Sequence, residues 1–432
     1  MQKLTIFNTF LTLGLGLTVV YATPVKAAGI VGTGNAASCN ESALEKTLAG
    51  GGNVTFNCGS NPVTIKITKQ KEISNNTVID GGNKITLDGG GRTRILLEKK
   101  QASLTVKNIN FINGRTPEEG AAIMVSWRGK LIVNNCKFDN NIADKGGEAG
   151  GGAIFLASES SADISNSVFN NNKGSLGGAI RNLLSNLTIT NTKFNNNQAR
   201  SASGGAIYID GANGDNGKIT IKNSSFTGNK AATQGGALFN FLYNKNVTTI
   251  ENTTFSGNTA DQGGGIWTSA GNLGGLTGFT GTGNQSLVNI NKTTIKGNLA
   301  LSQGGGIWHG NHKQTTITNS TISDNKARSN DGKNGLGGGV MLTNKKITFN
   351  GVKILNNYAA FQGGAIFGGD TDSVLINSSI LNNKADNGGN NWNVKISCSH
   401  ALKNGGNNTQ FPGKNPNSND DTNCANGITI KK

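Results

Sequence analysis

The stretches Ile189-Thr-Asn-Thr-Lys-Phe-Asn-Asn-Asn197 and Ile250-Glu-Asn-Thr-Thr-Phe-Ser-Gly-Asn258 share the pattern I-x-N-x-x-[F/I]-x-x-N, and this pattern decides the fold. Its central apolar residue, the anchor, recurs at intervals averaging about 30 residues, a period typical of solenoid coils. The anchors are Phe111, Phe138, Phe169, Phe194, Phe226, Phe255, Ile295, Ile322, Ile354 and Ile380.

Two columns of asparagine flank the anchor. Three residues after it stand Asn141, Asn172, Asn197, Asn229, Asn258, Asn298, Asn325, Asn357 and Asn383, with Gly114 in the first unit. Because Asn and Gly both tolerate the left-handed backbone, this position predicts a tight turn. Three residues before the anchor stand Asn108, Asn135, Asn166, Asn191, Asn223, Asn252, Asn319 and Asn377. We expect this second column to stack and hydrogen-bond in coils about 4.8 Å apart.

Triplets such as Asn223-Ser-Ser225 mimic glycosylation acceptors, and we interpret them as inward and structural.

A run of small residues closed by an aliphatic, such as Gly204-Gly-Ala-Ile207, is the third recurring element. We expect the aliphatic to point into the core, while the glycines allow a sharp bend. Short strands between Gly and Asn turns favour an all-β fold. The sequence predicts a right-handed parallel β-helix, a single solenoid of about ten or more coils, with a short capping helix within residues 41–49.

The ends of the chain differ from the repeats. Residues 1–27 are predicted to be a signal peptide, with Lys3, an apolar run from Leu11 to Tyr21 and a small-x-Ala end at Ala27. We expect residues 28–103 to form an N-terminal cap and first coils, 104–386 the repeats, and 387–432 a C-terminal cap or tail. No stretch of the mature chain approaches the length of a membrane span. The expected location is extracellular, secreted or on the cell surface, with outer-membrane association included.

Five cysteines are placed mainly at the ends. For an exported protein, the economical pairing is one disulfide at each end, Cys39 with Cys58 and Cys398 with Cys424. The alternative is that some are free buried thiols. Cys136 occupies a position that holds Ser or Thr in other coils, which favours a buried thiol over a nucleophile.

The formal charge of +16 indicates the kind of partner. A basic balance without a basic run favours anionic polysaccharide, lipid headgroups or a cell-surface glycan over nucleic acid. The alternative is that dispersed lysines only keep the solenoid soluble. We expect a monomer.

The G-G-A-[I/L/V] and F-x-x-N motifs, paired in this order over roughly residues 104–385, resemble the repeats of the chlamydial polymorphic outer membrane proteins. This resemblance implies a surface-exposed passenger used in adhesion. The autotransporter barrel that normally follows such a passenger is absent from the sequence, so anchoring of that kind is not expected. The segment 81–91 is similar to the opening coils of the pectate lyase superfamily. That likeness implies a pectin lyase-like fold and an alternative function, a lyase or glycoside hydrolase of acidic polysaccharide.

The candidate binding residues come from the column directly after the inward aliphatic. Its members are Met124, Phe155, Arg181, Tyr208, Phe239, Trp267, Trp308, Met341 and Phe367. Because side chains alternate along a strand, this column is expected to point outward. We predict that Arg181, Tyr208, Trp267 and Trp308 bind sugar rings or a protein partner. The alternative is that variable loops fold over the column and bury it.

A catalytic centre is not predicted. A hydrolase needs two or three carboxylates that converge on one face, and the aspartates lie at different phases of the coil. His309 is expected at the surface. His309 and His312 lack the neighbouring carboxylate or cysteine ligands that a metal site needs. We predict no catalytic residue, no metal and no cofactor. The sequence favours an exported, noncatalytic, adhesin-like protein.

Overall fold

The computed structural model describes nine stretches of the chain. They are residues 29–99, 101–143, 145–147, 149–281, 283–343, 346–369, 372–389, 397–414 and 422–432. Over these stretches the protein is a parallel β-solenoid of about 14 turns with very little helix, as predicted. The signal peptide predicted at residues 1–27 lies outside the described residues. No helix in the described ranges has the length and apolar character needed to span a membrane.

The described strands form three parallel sheets that run the length of the rod. Most coils contribute two strands to sheet 1, bent at a corner, and one strand each to sheets 2 and 3.

The strand bounds follow the coils. Sheet 1 contains Gly29–Val31, Gly52–Phe56, Val63–Lys66, Thr77–Asp88, Ser103–Ile112, Lys130–Asn134, Lys137–Asp139, Ser161–Ser165, Val168–Asn170, Asn186–Thr190, Lys193–Asn195, Lys218–Lys222, Ser225–Thr227, Val247–Glu251, Thr254–Ser256, Leu287–Asn291, Thr294–Lys296, Gln314–Thr318, Thr321–Ser323, Ile347–Asn350, Lys353–Leu355, Val374–Ile376, Ser379–Leu381, Lys403–Asn404, Thr409–Phe411 and Thr429–Ile430. Sheet 2 contains Lys71–Ile73, Leu96–Glu98, Ile123–Val125, Ile154–Leu156, Ile180–Leu183, Ile207–Asp210, Leu238–Tyr243, Ile266–Gly271, Ile307–His309, Val340–Leu342 and Ile366–Phe367. Sheet 3 contains Arg115–Thr116, Ile142–Ala143, Lys173–Gly174, Gln198–Ala199, Lys230–Ala231, Thr259–Gln262, Leu299–Gln303, Lys326–Ala327, Tyr358–Ala359 and Lys384–Ala385.

An α-helix, Glu41–Leu48, lies at the N-terminal end of the solenoid, as predicted. Its buried residues Leu44 and Leu48 join the main core. The strand Gly29–Val31 precedes the helix and pairs in parallel with Gly52–Phe56. The helix therefore connects two neighbouring strands and shields the inward side chains of the first coil.

The anchors form a continuous internal stack. Neighbouring phenylalanine rings are nearly parallel, with centroids between 4.6 and 5.0 Å apart. The stacked rings belong to Phe111, Phe138, Phe169, Phe194, Phe226 and Phe255. Isoleucine continues the buried row from Ile295 to Ile380. One apolar side chain per coil thus fills the centre of the rod.

The asparagine three residues after the anchor is fully buried and forms a ladder of amides. In Asn258, the side-chain nitrogen donates to Asn298 Oδ1 at 2.9 Å and to the carbonyl of Phe226 at 3.1 Å. Its side-chain oxygen accepts from both the backbone and the side-chain nitrogen of Asn229. Each amide therefore satisfies polar groups of the coils on both sides, inside the core.

The left-handed turns lie elsewhere, so the tight turn predicted at the asparagine after the anchor was wrong. Positive φ occurs at the residue directly before the buried asparagine, such as Asn140 or Gly257, and at the second column. There, Asn223 and Asn252 have φ of 50° and 47°, and both are exposed at the corner within sheet 1. Neighbouring corner amides do bond, with Asn252 Nδ2 2.8 Å from Asn223 Oδ1. The triplet beginning at Asn223 is consequently outward, not inward.

The small-residue runs bring the backbones of adjacent coils close together. A Cβ placed on Gly236 would lie 2.1 Å from the carbonyl oxygen of Gly264, one coil away. Only glycine fits such an approach, which explains the glycine pair before the strands of sheet 2 from Ile154–Leu156 onward.

Both predicted disulfides are present. Cys39 is bonded to Cys58 and Cys398 to Cys424. Cys136 is free and buried, and burial raises the pKa of its thiol to about 12. The thiol therefore remains protonated and unreactive in the folded protein.

The same substitution in the two asparagine columns is expected to change stability by different amounts. Asn258→Gly removes a buried amide and leaves several core groups without partners, so we expect the free energy of unfolding to fall by about 2–4 kcal/mol. Asn252→Gly relieves a left-handed backbone at the surface, so we expect a change within about 1 kcal/mol. Denaturant unfolding of the two variants measures this difference. If Asn252→Gly lowered the free energy of unfolding as much as Asn258→Gly or more, the exposed column would be the one that mainly stabilises the fold.

Candidate functional site

Four aromatic residues line up on the outward face of sheet 2. Tyr208, Phe239, Trp267 and Trp308 each follow a buried aliphatic, and the parallel pairing aligns them; we call them the aromatic ladder. Successive ring centroids lie 4.5, 4.5 and 4.8 Å apart, with planes within 9° of parallel. The structure therefore brings three of the predicted binding residues into one stack.

Within the ladder, neighbouring rings cover the ring faces that a sugar would otherwise contact. The Trp267 side chain is 7% exposed and Phe239 is equally buried, whereas Tyr208 and Trp308 are half-buried. The next row members are Arg181 before Tyr208 and Met341 after Trp308. Because the rings cover one another, the ladder presents mainly ring edges to solvent. Stacking between neighbours accounts for much of this burial.

A row of glutamines borders the ladder on one side. Gln234 Nε2 donates to Gln262 Oε1 at 3.2 Å across neighbouring coils. In the following coil, Trp308 Nε1 donates to Gln303 Oε1 at 3.1 Å. All three glutamines are half-buried. Amide donors and acceptors therefore accompany the ring edges at the surface.

Phe241 and Tyr243 border the ladder on the other side. The Phe241 ring lies 5.1 Å from Tyr243 edge-on and 6.4 Å from Trp267. The Tyr243 hydroxyl donates to Asp210 Oδ1 at 2.9 Å. Burial first, and then the Asp210 carboxylate, raise the pKa of Tyr243 above its usual range, so the hydroxyl stays protonated. Sequence analysis missed both residues, although the alternation in the strand Leu238–Tyr243 marks them as outward.

We call the ladder together with Phe241 and Tyr243 the aromatic patch. A long loop, described over residues 272–281, packs along its edge, with Phe279 edge-on to Tyr243 at 6.4 Å. The loop is tied down by Asp215, whose Oδ1 accepts from the Thr280 backbone nitrogen at 3.1 Å and from Asn244 Nδ2 at 2.8 Å. The patch is therefore bounded by a fixed segment rather than covered by it.

Arg181 lies in the same row but is only 5% exposed. Its NH1 atom is 3.4 Å from Glu119 Oε1, and its guanidinium carbon lies 5.3 Å from the ring centroid of Phe155. A buried cation paired in this way stabilises the end of the row and offers little charge to a ligand in solvent.

His309 was predicted at the surface, but the structure places it in the interior. It follows Trp308 in the strand, so it points inward, and it is fully buried. Its Nε2 lies 2.8 Å from Thr315 Oγ1. The buried His312 contacts Thr268 Oγ1 at 2.7 Å and Ser286 Oγ at 2.9 Å. The alternation of side chains, applied one residue further, would have placed His309 correctly.

Both imidazoles are neutral near pH 7. Burial lowers the pKa of His309 to about 4. Burial, together with the neighbouring His309, holds the pKa of His312 well below its usual range. Across the part of the chain that the structure describes, no three His, Cys, Asp or Glu side chains are grouped to hold a metal ion. These histidines therefore belong to a polar network inside the solenoid.

The buried histidines predict acid sensitivity. Their folded-state pKa values lie below the ordinary value, so the unfolded chain binds more protons and stability falls as pH drops from about 6.5 to 4. We expect His309→Gln to reduce the stability lost between pH 7.5 and 5 by about 1–2 kcal/mol. Denaturant unfolding at both pH values measures this effect. His400→Gln, at an exposed histidine outside this network, is the control, and an equally large effect there would contradict a role of burial. An unaltered dependence in His309→Gln would contradict the expectation.

Comparison with known proteins identifies part of the repeat region. The Chlamydia polymorphic membrane protein repeat matches residues 191–210, 223–240 and 252–269. A curated relative, metabotropic glutamate receptor-like protein R of Dictyostelium discoideum, is 32% identical over 137 residues. That alignment covers 31% of this chain but only 8% of the relative. No solved structure matches the chain.

Each matched segment begins at a left-handed corner asparagine and ends in a strand of sheet 2. One matched repeat therefore covers one coil except for the five-residue strand of sheet 1 that precedes the corner. The central coils of this parallel β-solenoid are therefore repeats of the Chlamydia polymorphic membrane protein type.

Proposed function

We propose that the protein is an exported, noncatalytic adhesin-like rod that binds a cell-surface glycan through the aromatic patch. The observation that carries this proposal is the coincidence of the patch with the matched repeats. The three matched segments contain Tyr208, Phe239 and Trp267, one ladder residue per segment. Repeats of this type belong to a surface family of the outer membrane, which supports a location outside the cell.

The chemistry of the patch supports binding rather than reaction. Ring edges provide apolar contact, while Gln262, Gln303 and the Tyr243 hydroxyl provide hydrogen-bonding groups beside them. Such a mixture suits a ligand that carries both C–H groups and hydroxyls, as a glycan does. We propose that the glycan lies across the ring edges, because the faces are occupied within the stack.

No observation favours the alternative of a polysaccharide lyase or glycoside hydrolase. A lyase of acidic polysaccharide would need an accessible cation, and Arg181 is buried against Glu119 and Phe155. The Tyr243 hydroxyl donates a hydrogen bond to the Asp210 carboxylate. The backbone nitrogen of Thr280 in the loop donates one to the Asp215 carboxylate. These contacts fix structure at the border of the patch.

Retention of the mature protein on glycan-coated beads and on intact cells tests the binding proposal. We expect Trp308→Ala to weaken retention about tenfold, because truncating a central aromatic contact typically costs more than 1 kcal/mol. Trp127→Ala is the matched control, since Trp127 is exposed and lies outside the patch. Circular dichroism checks that both variants fold.

Equal retention of the two tryptophan variants and the unsubstituted protein would overturn the role of the patch. Release of unsaturated products or reducing ends from polygalacturonate or alginate, with or without Ca²⁺, would instead favour the enzyme alternative.

A further inference from the structure

The outward row that ends each short strand of sheet 1 changes character near the C-terminus. After Ile112 in the coil before Asp139, the row is polar through seven coils: Asp139, Asn170, Asn195, Thr227, Ser256, Lys296 and Ser323. In the last three coils it becomes Leu355, Leu381 and Phe411, which the parallel pairing holds side by side. The two leucines are half-buried, and Phe411 is 41% exposed.

Two further apolar residues lie next to this row, although Ile430 pairs with the buried Gln410 rather than with Phe411. Pro412 follows Phe411, and Ile430, 42% exposed, lies over Gly413, where an added Cβ would be 3.1 Å from Ile430 Cγ2. We call Leu355, Leu381, Phe411, Pro412 and Ile430 the end patch. Five large hydrophobic side chains are exposed in the described ranges, and two of them, Phe411 and Ile430, lie on neighbouring paired strands here. Clustered exposed apolar residues mark interaction surfaces.

A cavity of about 630 Å³ opens beside the end patch. Phe411 and Pro412 form one wall, and Tyr358 and Lys384 lie on the other. The Tyr358 hydroxyl donates to Asp386 at 2.7 Å. The patch therefore combines a projecting apolar ridge with an adjoining recess that carries a cation.

Four exposed lysines surround the end patch. Lys353 lies two residues before Leu355, Lys384 lines the cavity, Lys414 follows Gly413, and Lys431 follows Ile430. Within the ranges that the structure describes, none of these lysines forms an ion pair. The ammonium groups are therefore available to an anionic partner.

The composition of the patch distinguishes between possible partners. Sugars favour aromatic ring faces, whereas this patch is largely aliphatic, a character that suits acyl chains. A second copy is disfavoured because its lysines would face these lysines.

We propose that the end patch binds the surface of an anionic lipid membrane and thereby attaches the C-terminal coils of the rod to it. The apolar ridge enters the boundary between headgroups and acyl chains, while the lysines contact anionic headgroups. This function is separate from glycan binding at the aromatic patch, which lies several coils away.

Binding to vesicles tests the proposal. We expect the mature protein to sediment with phosphatidylcholine vesicles that contain phosphatidylglycerol, to bind pure phosphatidylcholine weakly, and to be released by salt. Leu381→Asn and Ile430→Ser should each weaken binding several-fold, while Leu276→Ser, an exposed leucine in a distant loop, should have no effect. Lys384→Gln should weaken binding about fivefold, whereas Lys326→Gln, two coils away in the same row, should not.

A labelled variant locates the contact. Because Cys136 is buried and the other cysteines are paired, Phe411→Cys provides one accessible thiol for an environment-sensitive dye. We expect a blue shift of dye emission on addition of anionic vesicles. Absence of vesicle binding, equal binding to both lipid compositions, or full binding by Leu381→Asn and Lys384→Gln would overturn the proposal. A blue shift that follows protein concentration without lipid would instead identify a second copy as the partner.

Discussion

The buried asparagine ladder is the interaction on which the rest of the structure depends. Every coil must turn its backbone sharply, and the turn leaves carbonyl and amide groups inside an apolar core, where unpaired polar groups are costly. In each central coil, one carboxamide accepts from the coil before it and donates to the coil after it and to an anchor carbonyl. The ladder thereby fixes how successive coils are aligned, since a slipped coil would lose all of these bonds.

Alignment of the coils produces the other features of the rod. Because equivalent residues lie directly above one another, phenylalanines stack in the centre and aromatic residues stack outside. The same repetition limits what the outer stack offers, since rings spaced about 4.5 Å apart cover one another's faces. Such a repeated surface presents ring edges and a row of amides to solvent. It does not present separate aromatic ring faces on which individual sugars could stack. The patch at the C-terminal end arises because the last coils replace polar outward residues while keeping the same alignment.

Sequence reasoning succeeded where period and residue type determine direction. The anchors, the end helix and the cysteine pairs follow from spacing and from the apolar or thiol character of the residues. It failed where two positions carry the same residue for different reasons. Asn252 occupies a left-handed corner and Asn258 satisfies the core, and the residue name alone does not separate these roles. His309 was misplaced because a polar residue was assumed to face solvent, although inside the solenoid Thr315 provides it with a hydrogen-bond partner.

The direction of the hydrogen bonds between coils determines how the rod responds to force. These bonds run along the axis, so a pull on the two chain ends loads the outermost coil and peels coils one after another, instead of shearing many bonds together. In a stack with nearest-neighbour contacts, such peeling starts at an end. The bonds Cys39–Cys58 and Cys398–Cys424 close the chain within those terminal regions. Each covalent bond shortens the length of chain that an end coil can release, so the rod is mechanically reinforced at the places where it would begin to unravel.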